Sequence, residues 1–156
     1  MTNIDQMIDR GHNLCFGDGF RDTFEGRRLF EEAASLGRAD ALLYLGKSFE
    51  LDGDYDAAEG AYLRGFQKKY RAAMFRLALL HKKSLIAGTD QCFYLRTIES
   101  LSREGHFPSI ALYTNERMRG SYGFPKQVIG FLSFFPNTLR FTWNFMVDPR
   151  SHRFEQ

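Results

Sequence analysis

Residues 33–46 read AASLGRADALLYLG, and residues 65–78, thirty-two positions later, read GFQKKYRAAMFRLA. In register, Ala34, Gly37, Ala41, Leu45 and Gly46 of the first stretch fall on Phe66, Lys69, Ala73, Leu77 and Ala78 of the second. A third copy of the spacing follows in Gly105, Ser109 and Tyr113. The pairs just upstream, Leu29-Phe30, Ala61-Tyr62, Thr97-Ile98 and Gly130-Phe131, recur at intervals of thirty-two, thirty-six and thirty-three. A period of this size with alternating small and large apolar positions describes a helix pair that cannot bury its apolar face alone and is repeated until neighbours bury one another.

Each unit also carries helix punctuation. Gly37 and Gly53 stand where helices end in a left-handed residue, Asp54 and Asp90 stand where a carboxylate can accept the free amides of a first turn, and Pro108 is suited to a first helical position. The pattern predicts helices over 4–16, 24–36, 39–51, 55–68, 71–84, 91–103, 108–119 and 125–135. Ala34, Ala41, Ala58 and Ala73 read as close-approach positions of the core rather than functional groups.

The combination small-xxx-Ala-xxx-Leu-Gly, an aromatic, a loop containing DGDYDAA at 52–58, then an aromatic and a small pair before the next glycine resembles the Sel1-like repeat, a relative of the tetratricopeptide repeat. The resemblance is close over 27–84, looser over 1–26 and 85–135, and stops beyond Phe135. Lys69 in the place of Gly37, and Ser109 in the place of alanine, depart from it. The resemblance implies an all-α fold, antiparallel helix-pair repeats stacked as a short right-handed solenoid. It also implies a protein-interaction scaffold or adaptor, with no catalytic residues. The expected organisation is a repeat domain over 1–135 and an aromatic C-terminal cap or docking tail over 136–156.

Length and composition agree with one globular domain: 156 residues, 44% hydrophobic and 26% charged. The N-terminal MTNIDQMIDRGH lacks a basic region followed by an apolar one, and the two cysteines, Cys15 and Cys92, suggest no disulfide framework. A reducing, cytoplasmic setting is the simplest expectation.

Charge is distributed in blocks. Residues 1–59 hold thirteen acidic and six basic side chains, a balance of minus seven. Residues 60–89 hold Arg64, Lys68, Lys69, Arg71, Arg76, Lys82 and Lys83 with no acid, plus seven, and the remainder, eight basic against six acidic, gives plus two. In a stack of repeats, sequence order is spatial order, so these seven cations form the expected partner-binding set, attracting an acidic protein segment. The competing reading is a solvated face neutralised by its neighbours. Nucleic acid is the least favoured partner, because no recognised nucleic-acid module accompanies the charge.

The C-terminal stretch FPKQVIGFLSFFPNTLRFTWNFMVDP (124–149) is the second unusual feature: between Glu116 and Asp148 there are eight aromatics and no acid. The apolar run 128–135 is too short to span a bilayer. Three readings stay open for residues 136–147: a cap folded over the end of the stack, a strand marked by the alternation of Leu139, Phe141, Trp143 and Phe145, or an interfacial anchor made by those rings with Arg140 and Lys126. The third gives the alternative function, a peripheral membrane factor; a further alternative is a neutralising, immunity-type binder of a toxin or effector.

Motifs for chemistry are incomplete. Asp52, Asp54 and Asp56 match the first ligands of a calcium loop, but its sixth position is Ala57 and its twelfth Leu63, so a solvated loop is expected. His12 and Cys15 have zinc-ligand spacing without a second pair. FGDGF at 16–20 lacks the third glycine of a dinucleotide loop and the lysine-serine pair of a phosphate loop. No serine lies in a nucleophile elbow, and His81 and His106 have no nucleophile-acid set around them. The expectation is a nonenzymatic protein without cofactor or metal.

Overall fold

The computed structural model describes residues 4–122. Among them are seven helices: α1 (Ile4–Phe16), α2 (Thr23–Ser35), α3 (Asp40–Leu51), α4 (Tyr55–Gln67), α5 (Arg71–Lys83), α6 (Gln91–Arg103) and α7 (Phe107–Met118). The expected helix over 125–135, and the tail with Arg140, Phe141, Trp143 and Phe145, lie outside the described residues. The chain divides into two compact units, Met1–Thr89 and Asp90–Gln156.

Helix starts follow the expected chemistry. The Asp54 carboxylate accepts from the Ala57 amide at 3.1 Å, and that of Asp90 from the Cys92 amide at 2.7 Å. Asp22, which the sequence pattern did not mark, accepts from the Glu25 amide at 3.0 Å and starts α2. Helix α7 begins one residue early, at Phe107, so that Pro108 sits inside its first turn, where no intrahelical amide bond is lost.

Helix ends are more uniform than the sequence suggests. From α2 to α7, each closes with the same two backbone bonds, for example Gly37 N to Ala34 O at 3.1 Å and Arg38 N to Ala33 O at 3.1 Å after α2. This is the Schellman arrangement, which returns two orphan carbonyls to amide partners and needs one left-handed residue. Gly37, Gly53, Gly105 and Gly120 take that role after α2, α3, α6 and α7. After α4 it falls to Lys69, φ 56°, and after α5 to Ser84, φ 55°. The substitution of lysine for glycine in the repeat has therefore not altered the turn; it has loaded a Cβ into a conformation that costs about 1–2 kcal/mol. Glycine returns part of that through its greater freedom when unfolded, so Lys69→Gly is expected to raise stability by about 0.5–1 kcal/mol in urea unfolding.

In the first unit α1 packs on α2, α2 on α3, α3 on α4 and α4 on α5, while α3 also touches α1 and α5 directly. Helices α1, α3 and α5 therefore adjoin as one layer. The paired positions of the repeat are its core: Leu29, Phe30, Ala61 and Tyr62 are all buried, as are Ala34, Ala41, Ala58 and Ala73. Small residues permit the approach. A Cβ on Gly65 would stand 2.5 Å from that of Ala73, and one on Gly46 would stand 2.6 Å from Cζ of the Tyr62 ring. Glycines at these contacts are packing residues, and the apolar area they allow to be buried is the main stabilising term.

In the second unit α6 packs on α7, burying Thr97, Ile98 and Leu101. Ser109, in the place of alanine, is fully buried and its hydroxyl lies 2.7 Å from His106 Nδ1, so the added oxygen is satisfied. The Tyr94 hydroxyl donates to buried Glu116 at 3.1 Å, and Ser121 donates to the same carboxylate at 2.8 Å.

Candidate functional site

The seven cations of residues 60–89 do not share one face. Arg64, in the last turn of α4, and Lys68, just past its end, turn toward α2: Arg64 makes a two-pronged ion pair with Glu31 at 2.7 and 2.8 Å, and Lys68 Nζ donates to the Ala34 carbonyl at 3.2 Å. Lys69 and Arg71 are exposed at the turn into α5. Lys82 and Lys83 lie in the last turn of α5, where positive charge complements the helix dipole. Arg76 turns toward α3, its Nη1 3.8 Å from Glu50.

Arg76 lines a cleft of about 320 Å³ together with Phe16, Lys47, Glu50 and Leu51. Its parts come from the layer of α1, α3 and α5. Glu50 is fixed from two sides, accepting the buried Tyr62 hydroxyl at 2.5 Å as well as facing Arg76. Burial and the neighbouring carboxylate push the Tyr62 phenol well above its usual range, so it remains a donor.

Lys47 is the feature that sequence reading missed. Among the described residues its ammonium has no hydrogen bond or ion pair; the centroid of the Tyr44 ring is 6.0 Å from Nζ, at the outer limit of cation–π attraction. Burial lowers its pKa to about 8, Arg76 adds repulsion, and Glu50 offsets only part of this. The unfolded chain therefore holds the extra proton between about pH 8 and 10, and stability should rise across that interval as the folded state sheds its charge. At pH 7 both states are charged and the penalty is fully present. Lys47→Met is expected to raise stability at pH 7 by about 1–2 kcal/mol, since solvent reaching the half-buried ammonium screens part of the penalty, and to abolish the increase toward pH 9.5, measured by urea unfolding against pH.

The residues considered for metal chemistry have other occupations. Asp52 Oδ2 pairs with Arg27 Nη2 at 2.5 Å, and Asp54 is a helix cap. The His12 ring packs 5.0 Å from Phe16 and 5.5 Å from Tyr44, and Cys15 is buried beneath Gly26, its thiol pushed up by desolvation. Among the described residues no group of three or more His, Cys, Asp or Glu side chains is placed to hold a metal. No helix among them is long and apolar enough to cross a membrane.

Helix pairs closed by one recurring turn, with small residues at their contacts, define an all-α helical-repeat protein. No protein-family model matches the chain, and no curated protein does. Among solved structures it is similar to a protective antigen present in uropathogenic Escherichia coli strains that displays an SLR (Sel1-like repeat) fold: TM-score 0.71 over 89% of this chain, with 15% sequence identity. The chain spans 31% of that antigen's length. The likeness is one of fold, and it bears out the helical-repeat solenoid class and the Sel1-like resemblance.

Proposed function

We propose that this chain is a noncatalytic protein-interaction scaffold whose partner presents an acidic segment. The observation that carries the reading is Lys69. It holds an exposed positive charge in a left-handed turn where the equivalent positions after α2 and α6 are glycine, a charge retained at a cost in stability. Arg71 at the start of α5 and Lys83 at its end add further exposed positive charge, and net positive charge of this kind accelerates encounter with an oppositely charged segment. The helical-repeat fold supports the same reading, because it offers an extended surface of stacked helices rather than an enclosed catalytic pocket.

The test is affinity capture of the native partner from the host at low salt. Replacing Lys69, Arg71 and Lys83 by glutamate should lower recovery at least tenfold, and raising the salt should do the same to the unaltered protein. Lys68 is left in place because it caps the Ala34 carbonyl. Undiminished capture by the triple variant would overturn the proposal.

A further inference from the structure

We infer that the cleft between α3 and α5 is a receptor for one carboxylate side chain of the partner's acidic segment, held between Lys47 and Arg76, with the apolar residue beside it resting on Leu51 and Phe16. The inference rests on the scaffold reading and narrows it to a single site and a two-residue signature, acid next to apolar.

Three observations lead there. First, the cleft carries two cations, Lys47 and Arg76, against one anion, Glu50, whose oxygens are already turned to Tyr62 and Arg76. Glu50 offsets only part of the excess positive charge, and a half-buried ammonium with no hydrogen bond or ion pair among the described residues is a costly arrangement that an incoming anion relieves. Second, the volume, about 320 Å³, admits a short acidic side chain and its neighbour but not a helix. Third, one wall is apolar: Phe16 is half-buried, and Leu51 is 57% exposed, one of the few large aliphatic side chains in the first unit left in water. A lone carboxylate would leave that wall wet, whereas an acid followed by leucine covers it and gains the usual return on apolar burial.

Binding also has a proton signature. Lys47 faces Arg76 from α5 and Glu50 and Tyr44 from its own helix, with Phe16 contributed by α1 and Tyr62 acting through Glu50 from α4. A bound carboxylate favours the charged amine, so affinity should be greatest below pH 8 and fall by up to tenfold per pH unit above it, until the bound-state value is reached.

The probe is a blocked tetrapeptide in which glutamate precedes leucine, titrated into the isotopically labelled full chain and followed by amide chemical shifts. Shifts centred on Lys47, Leu51 and Arg76 are expected, with binding at least tenfold tighter than to the glutamine counterpart. Lys47→Met, which relieves a buried charge and so should fold, should reduce affinity at least tenfold and remove its pH dependence. Leu51→Ser should erase the preference for leucine over alanine beside the acid. Equal binding of the glutamine peptide, shifts centred elsewhere, or inorganic phosphate competing as well as the peptide would each overturn the assignment. Concentration-dependent shifts of the same residues without peptide would place a second copy in the cleft and overturn it too. Native-partner capture separates the two levels. Loss with the Lys69, Arg71 and Lys83 reversal but not with Lys47→Met would leave the scaffold and remove this site, while indifference to both would remove both.

Discussion

Tyr62→Ala should lower the unfolding free energy by about 3–5 kcal/mol, a large share of the stability of a domain this size. The ring is fully buried at the heart of the first unit, wedged against Gly46 of α3, so its removal opens a void that the helices cannot close without losing their other contacts. The same change deprives Glu50 of its 2.5 Å hydrogen bond and leaves that carboxylate to Arg76, 3.8 Å away. Urea unfolding followed by circular dichroism measures the loss, and Tyr62→Phe separates the two contributions. Keeping the ring and deleting the hydroxyl should cost about 1–2 kcal/mol. A loss below about 1 kcal/mol for Tyr62→Ala would mean that the α3–α4 contact is not packed as described.

Gly46→Val is the complementary experiment, adding bulk where Tyr62→Ala removes it. A Cβ at Gly46 would meet Cζ and Cδ1 of Tyr62 at 2.6 and 2.7 Å, and the ring cannot retreat because it is enclosed on all sides and tied by its hydroxyl. Valine at an ordinary exposed helix position would be more favourable than glycine; here overpacking should dominate, with a net cost of about 2–4 kcal/mol. Because both changes act on one contact, their costs should not add. Valine in the Tyr62→Ala background enters the vacated space, and the double variant should be more stable than the sum of the single ones by about 1–3 kcal/mol. Additive costs would show that Gly46 is glycine for a reason other than the Tyr62 ring.

The helices were legible because their punctuation is chemical. A carboxylate before α4 and α6 and a glycine after α2 and α3 can do little else at those places, and the structure puts Asp54, Asp90, Gly37 and Gly53 in those roles. The period was legible for a related reason: pairs such as Ala61-Tyr62 and Thr97-Ile98 are buried in every copy among the described residues. Lys69 and Ser84 were harder. Lysine has no preference for a left-handed turn, so only its register with Gly37 marks it, and Ser84 has no such guide.

The charge block was legible as composition but not as geometry. Successive helical residues turn by about a hundred degrees, and α4 and α5 belong to different layers. A run that is continuous along the chain is therefore divided: Arg64 is spent on Glu31, while Arg76 faces Glu50. Lys47 was invisible for a different reason. In LLYLGKSFEL it looks like one of two solvated charges, with Glu50, on an otherwise apolar helix, and its desolvation arises from side chains brought by α1 and α5, distant in the chain on either side. Sites of this kind are made by tertiary packing, and a local pattern carries no trace of them.

The recurring turn bears on how such a surface can change over time. Each hairpin from α2 onward is closed by main-chain atoms, so the side chain at its left-handed residue is nearly free of structural duty. Lys69 demonstrates the exchange: a full charge has replaced hydrogen with the turn intact and a fixed, small penalty. Each such turn is thus an editable margin, where a single letter can alter what is recognised while the text of the core stays the same.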